Sequence, residues 1–478
     1  MNGLTKTLLA CMALLALAGC AQNPVSGGED FVLMSEAQEI SLGRQANAEV
    51  LKQYKAYDSP ALQDYVDSVG QKLARHSHRP NLHYHFTVLD TPEVNAFALP
   101  GGWVYITRGI LAYLDSEAEL AAVLGHEIGH VTARHGVRQA SAAQAANIGF
   151  SIVSIFVPEV NNVAGQNLAN LLGGALLSGY GREHELEADR LGAEYLARTD
   201  YDPQAMIRVL SVLKNQELFD DKIAKQEGRQ PQHYHGVFAS HPDNDTRLKQ
   251  AVGEAGHLAV ADSREGYSDY LRHIDGLTFK DSSDQGVVRN NKFLHSGLGL
   301  ALVFPQEWKV QNASDKLVAT SPQGDATIQL KVDEKPADTP AEYARRMTGF
   351  NSGYRMETLD INQLPAAIVT WPSAMTGVVY FKRKAYIIEC KAGSTEVFNS
   401  LRYDMLDTIK SFHALDAAER EQAKPLVIRL IMPRAGETYA DLARHSPLGK
   451  EAEGYLRLIN GDYPTGEPVP GQYLKIVE

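Results

Sequence analysis

Residues 117–131, Glu117-Ala118-Glu119-Leu120-Ala121-Ala122-Val123-Leu124-Gly125-His126-Glu127-Ile128-Gly129-His130-Val131, read as one helix. Ser116 stands before them and Glu119 follows three residues on, the spacing of a capping box, in which each side chain accepts from a backbone N–H that the helix leaves unpaired. Four helical residues turn the chain through about 400°, so His126 and His130 project from one face, one turn apart. Two neutral imidazoles so placed can share a cation. Zn2+ suits them, because it takes tetrahedral nitrogen and oxygen donors without a ligand-field preference. Glu127 points beside that face, close to the ion's open position without filling it. A carboxylate there can take a proton from attacking water and return it to a leaving amine. The neighbours Val123, Leu124, Ile128 and Val131 imply a buried setting, where a histidine needs a partner. Gly129 lets another segment come close.

Such an ion needs a third protein ligand. Gly181-Arg182-Glu183-His184-Glu185-Leu186-Glu187-Ala188-Asp189-Arg190-Leu191-Gly192 opens a second helix, on which Glu185 and Asp189 lie one turn apart and Ala188 and Gly192 permit close helix packing. Helical phase leaves both Glu185 and Glu187 open as the ligand. Together the two segments resemble the zinc metallopeptidases of the HtpX, BepA and LoiP type, relatives of the CAAX prenyl proteases, and the resemblance runs over about residues 30–275. It implies a mainly α, zincin-like (gluzincin) metallopeptidase domain with a small β region. Within it, His126, His130 and Glu185 would hold zinc, and Asp189 would fix the tautomer of a ligand histidine. It also implies that Asn95-Ala96-Phe97-Ala98, just before the strand Trp103–Thr107, forms an edge along which an extended protein substrate lies. Ser240-His241-Pro242 with Arg247 fits the same pattern, so His241 would reach the ion from a loop or stabilise an oxyanion. His135, His233 and His235 carry no comparable signal, and His184 stays a suspect through its nearness to the motif.

The ends of the chain read differently. Lys6, the apolar run Leu8 to Ala18 and Leu17-Ala18-Gly19-Cys20 resemble a bacterial lipobox. Residues 1–19 are therefore expected to be a signal peptide and Cys20 the lipid-anchored first residue, with 20–30 a polar tether. Ala21, where an inner-membrane lipoprotein often has aspartate, implies an outer-membrane lipoprotein facing the periplasm. Cys11 would leave with the signal, so Cys390 alone remains as a free thiol, read as a small core residue in a strand-like run. No later segment is long and apolar enough for a transmembrane helix, and no helical repeat follows the peptidase region; the HtpX and BepA types differ on these two points. A helical hairpin or lid is expected over 140–180.

The whole is multidomain: the peptidase domain over 31–280, an α+β domain over 285–415 with a faint PsbP-like resemblance, and a small βααβ, LysM-like module over 425–478. In the middle domain strands are expected at Gly299–Phe304, Ala326–Val332 and Val378–Cys390, with helices at 340–347 and 397–412. A hydrophobic share of 44% and a charged share of 22% fit a globular protein, and a net charge of −12 opposes nucleic-acid binding. The function expected is a zinc-dependent endopeptidase of the bacterial envelope that degrades misfolded or misassembled periplasmic and outer-membrane proteins. The competing reading is a lipoprotein scaffold or peptidoglycan-binding protein with a latent zinc site; Glu127 opposes it, since a structural site needs no adjacent base.

Overall fold

The computed structural model describes residues 20–148, 181–227, 247, 258, 262–282, 284–312, 317–334, 338–347 and 353–478. The chain divides into two compact units, residues 1–279 with 427–478, and residues 280–426.

The first unit begins with a hairpin of β1 (Cys20–Gln22) and β2 (Glu29–Phe31). The expected tether thus has local structure of its own. Its turn is held by Asn23, whose Oδ1 accepts from the backbone N–H of Val25 and Ser26 and whose Nδ2 donates to Asp30. Two helices follow, α1 (Glu36–Gln53), closed by a Ser35–Gln38 capping box, and α2 (Pro60–Arg75), with proline at its first position. Strands β3 (His85–Leu89), β4 (Ala96–Leu99) and β5 (Trp103–Thr107) make a small sheet in the order β3-β5-β4. The Pro100-Gly101-Gly102 turn joins β4 antiparallel to β5, while β3 runs parallel to β5, so β4 is an edge strand.

Helix α3 (Glu117–Thr132) forms the centre of this unit, buried along its whole length. Ser116 caps it by accepting from the N–H of Glu119. The reciprocal half of the expected box is different: the Glu119 carboxylate accepts from the N–H of Asp115. Both ends of α3 are tied by buried charges. At the start, Glu117 accepts from the hydroxyls of Tyr65 and Tyr201 and pairs with Arg264 at 3.0 Å. At the end, Arg79 donates to the Val131 carbonyl and, with Arg134, grips Glu39 at 2.7 and 2.9 Å. Around α3 pack α2, β4, α5 (Arg182–Arg198) and α6 (Ala205–Glu227), with α4 (His135–Ile148) following it and α7 (Tyr267–Ile274) later in the chain. The lid expected over 140–180 lies, beyond Ile148, outside the described residues.

The second unit is built on a seven-stranded antiparallel sheet. Its strands are β10 (Lys309–Asn312), β11 (Leu317–Thr320), β12 (Ala326–Glu334), β13 (Arg355–Ile361), β14 (Leu364–Trp371), β15 (Ala374–Phe381) and β16 (Lys384–Ala392). The run Val378–Cys390, expected as one strand, is the β15–β16 hairpin: Phe381 pairs with Lys384 across a turn in which Lys382 has φ 54°. Helices cover both faces. On one, α8 (Pro340–Met347) packs Tyr343 and Ala344 against Val369, Val378 and Ile387. On the other, α9 (Thr395–Lys410) sets Phe398, Met405 and Ile409 against Ile328, Ile388 and Cys390. Strand β6 (Thr278–Phe279) ends the first unit's long segment, and three short strands of the second unit, β7 (Val287–Arg289), β8 (Lys292–His295) and β9 (Leu300–Val303), form a further small sheet with β17 (His413–Ala414).

The last fifty residues return to the first unit. Their strand Leu426–Ile431, helices Tyr439–Ala443 and Ala452–Ile459, and strand Leu474–Val477 follow a βααβ order, the two strands antiparallel. Phe219 on α6 fits the gap left by Gly454 and meets the rings of Tyr455 and Tyr463 edge-on. Buried Lys475 donates to the carbonyls of Ala112 and Leu114 and pairs with Asp115 at 2.8 Å, directly before α3.

Candidate metal centre

Helices α3 and α5 approach closely because both contribute small residues at the contact. A Cβ on Gly125 would lie 3.3 Å from Gly192, one on Gly129 3.0 Å from the Ala188 carbonyl, and one on Gly192 2.9 Å from the His126 nitrogen. That backbone-to-backbone contact lowers the first turns of α5 onto the histidine face of α3.

Three side chains meet there. The Nε2 atoms of His126 and His130 are 3.0 Å apart, and the Glu185 carboxylate lies 3.6 Å from the first and 3.5 Å from the second. All three residues are buried. Two ring nitrogens facing each other at this distance repel through their lone pairs unless a proton or a cation lies between them. Ligands at the usual Zn–N distance on a tetrahedron stand roughly 3.3 Å apart. The observed separations bracket that figure, so the cluster could hold a metal ion.

Each member of the cluster has a partner behind it. Nδ1 of His126 is 2.8 Å from Oδ1 of Asp189. Arg247 in turn grips Asp189 with two hydrogen bonds of 2.7 Å and reaches Glu185 at 3.3 Å. Burial alone would raise the Asp189 carboxyl; Arg247 and His126 overcome it and hold the group well below the ordinary carboxylate range. The Arg247 guanidinium, penalised by the same burial, is held cationic by Asp189, Glu185 and Glu127. Behind His130 stands His135, Nδ1 to Nδ1 at 2.8 Å, and the far nitrogen of His135 is 3.0 Å from Glu187. Glu187 also accepts from Arg138 at 3.3 Å. The hydrogen bond from His135 draws Glu187 down to about 2, whereas burial lowers His135 and, with His135 beside it, His184 to about 4.

The geometry separates the two glutamates that helical phase leaves open. Glu185 turns toward the two imidazoles, and Glu187, two residues on, turns to His135. Sequence reasoning passed over His135 because Arg134, with φ 56°, breaks the helix just before it, so the phase of α3 does not extend to residue 135. The sequence marks Arg247 only as a neighbour of His241; its burial between two carboxylates has no local signal. His241 itself lies outside the described residues.

Glu127 is buried on α3 and borders a cavity of about 30 Å³ with His126, Ala96 and Arg247, walled on its far side by Val123, Met206 and Leu210. Ala96 and Ala98 of β4 face the site, Ala98 lining a second small space with His130, while Phe97 turns away and stacks on Tyr105. Asn95 is tied into the hairpin: its backbone N–H donates to Thr107 Oγ1 and its carbonyl accepts from the Thr107 N–H. The structure therefore brings His126, Glu127, His130, Glu185, Asp189 and the alanines of β4 to one place.

Two helices that present His, His and Glu to a common point, with a further carboxylate beside it, define a metal centre suited to hydrolysis. Residues 60–255 match the family model "Peptidase family M48". The Beta-barrel assembly-enhancing protease of Escherichia coli is 30% identical over 271 residues, 54% of this chain and 53% of that protein. The Mitochondrial metalloendopeptidase OMA1 of Schizosaccharomyces pombe is 31% identical over 185 residues, 38% of this chain and 54% of that protein. A solution structure of cyanobacterial PsbP from Synechocystis covers 27% of this chain and 95% of its own at 10% identity, with a TM-score of 0.22 that supports no inference. The matched segment, residues 60–255, contains His126, Glu127, His130, Glu185 and Asp189. The chain spans about half the length of the curated relatives it matches.

Proposed function

We propose that this chain is a zinc-dependent endopeptidase of the bacterial envelope, anchored to the outer membrane through lipid on Cys20, that cleaves misfolded or misassembled periplasmic and outer-membrane proteins. The observation that carries the reading is the convergence of His126, His130 and Glu185 with Glu127 buried beside them. The donor set of two imidazoles and one carboxylate, with room for a fourth ligand, is that of catalytic rather than structural zinc. Zinc held there would supply Lewis-acid activation of water and of the scissile carbonyl.

The protein's own groups do the rest. His126 and His130 bind through Nε2, with Asp189 accepting from Nδ1–H of His126 and so fixing its tautomer. Glu127 accepts the proton of the attacking water and delivers it to the leaving amine. The edge strand β4 offers backbone donors and acceptors to an extended substrate and reads little sequence, which suits a protease of misfolded chains. Its alanines leave space between strand and helix. His241 would reach the ion from its loop or stabilise the oxyanion. Among the described residues no helix is long and apolar enough to cross a membrane. The βααβ segment would add a contact to peptidoglycan.

The test is zinc content and casein cleavage of the purified protein beside Glu127→Gln. Wild type should carry about one zinc per chain and lose cleavage to a chelator. The variant should keep its zinc and lose about 10²–10⁴-fold in turnover. A variant that retains zinc and cleaves like wild type would remove Glu127 from the mechanism.

A further inference from the structure

We propose that His135, Glu187 and Arg138 form a relay of positioning residues that sets the tautomer and orientation of His130 toward the bound metal ion. The inference rests on the zinc-peptidase reading and adds to it a second, differently built support.

The two ligand histidines are backed unequally. His126 meets a carboxylate directly, Asp189. His130 meets another imidazole, His135, and only beyond that a carboxylate, Glu187. One assignment of protons satisfies this second chain. Nε2 of His130 faces His126 and Glu185, so its lone pair belongs to the metal and its proton sits on Nδ1. Nδ1 of His135 then accepts, which leaves the His135 proton on Nε2, pointing at Glu187. Each donor in the series points outward, and the series ends on a carboxylate that Arg138 also holds.

The geometry is over-determined. Arg134 takes the left-handed backbone conformation that returns the chain beside α3, and its guanidinium is fixed by Glu39 and the Met34 carbonyl. His184 stacks on His135 with ring centroids 4.3 Å apart and planes 20° from parallel, so the His135 ring has little freedom to turn. His135 is fully buried, a costly place for an imidazole that did nothing but fill space. The relay also ties three helices, α3, α4 and α5, to one ligand.

The experiment measures zinc affinity by chelator competition and the visible d–d spectrum of the cobalt(II)-loaded protein, for wild type, His135→Leu, His135→Gln and Glu187→Gln. Removing the acceptor behind a ligand histidine should weaken zinc binding by about 10- to 100-fold in His135→Leu and shift the cobalt bands. Glutamine at 135 keeps an acceptor and a donor and should recover most of the loss. Glu187→Gln should fall between the two, since the amide oxygen still accepts while the charge is gone. Affinity within twofold of wild type and superimposable cobalt spectra in all variants would overturn the relay. If His135→Leu does not fold, the half-exposed Glu187 site decides, and an unchanged Glu187→Gln overturns the relay on its own. A wild-type protein that takes up neither zinc nor cobalt would instead overturn the peptidase reading, a result visible before any variant is made.

Discussion

The interiors of the two units are made of different material. Around α3 the first unit buries Glu39, Arg79, Arg108, Glu117, Glu119, His126, Glu127, His130, Arg134, His135, Glu185, Asp189 and Arg247. Among the described residues of the second unit the buried polar side chains are Ser282, Ser321, Thr408 and Glu419, and the core is Phe, Leu, Ile, Val, Ala, Met, Tyr, Trp and one Cys. An apolar core is the cheaper way to stabilise a fold, because each buried charge must first be stripped of water and then paired. A unit that nonetheless fills its centre with ionisable groups holds them for chemistry or for the support of chemistry. The second unit shows what the chain builds where packing is the whole task. Its Cys390, lifted far above the ordinary thiol range by burial, is a core atom in character and no nucleophile.

The contrast is broken most forcefully at Arg247. This cation faces Asp189 and Glu185 and is itself buried, so Arg247→Met leaves two carboxylates in the interior with one counter-charge fewer. The expected cost is about 3–5 kcal/mol in the metal-free protein, read from denaturant unfolding. Adding Asp189→Asn should return part of it, and saturating zinc should narrow the gap. A loss below about 1 kcal/mol for the single variant would mean that these charges are not held together by need of one another.

The next effect belongs to the apolar unit. Ile388, at the centre of β16, is fully buried among Ile328, Val379 and Ile409. Ile388→Ala should cost about 3 kcal/mol through lost transfer energy and the cavity left behind. Zinc affinity should stay within twofold of wild type. If this change moved zinc affinity as strongly as His135→Leu, the division of labour between the units would fail.

Local sequence and the final structure agree wherever the signal is periodic. The helix at 117–132, its Ser116 cap and the one-turn spacing of His126 and His130 follow from propensity and a 3.6-residue period. The small residues of α5 foretold a close contact, and the contact is there. Legibility ends where the chain turns back on itself. His135 follows a left-handed residue, and Arg247 reaches Asp189 across 58 positions. Neither partnership has a period to betray it. The edge position of β4 is implied by the family resemblance and not by the strand pattern, since β3 pairs parallel to β5 and a hairpin reading takes neighbours in sequence as neighbours in the sheet. In the second unit two apolar runs, 378–381 and 385–388, read as one strand across the charged turn Lys382-Arg383-Lys384, because both strands of the hairpin are buried and neither alternates cleanly.

The smallest expected effect has the clearest sign. Glu119, just inside the start of α3, is raised to about 7, first by burial and then by the neighbouring Asp115, although the Asp115 N–H and Arg208 favour its charged form. Below pH 4.5 the acid is protonated in the folded and unfolded chain alike, and it carries no penalty. Between 4.5 and 7 the unfolded chain releases a proton that the folded one keeps, so stability falls as pH rises, and above 7 the loss is complete. Glu119→Gln resembles the protonated acid, and its oxygen can still accept from the Asp115 N–H. Arg208 would not be stranded, because it also pairs with Asp202 and Glu265. The variant should match wild type at pH 4.5 and exceed it by roughly 1–2 kcal/mol at pH 8. Denaturant curves at the two pH values decide it, and a variant less stable at pH 8 than at pH 4.5, relative to wild type, would show that this carboxylate is charged and well paired in the fold.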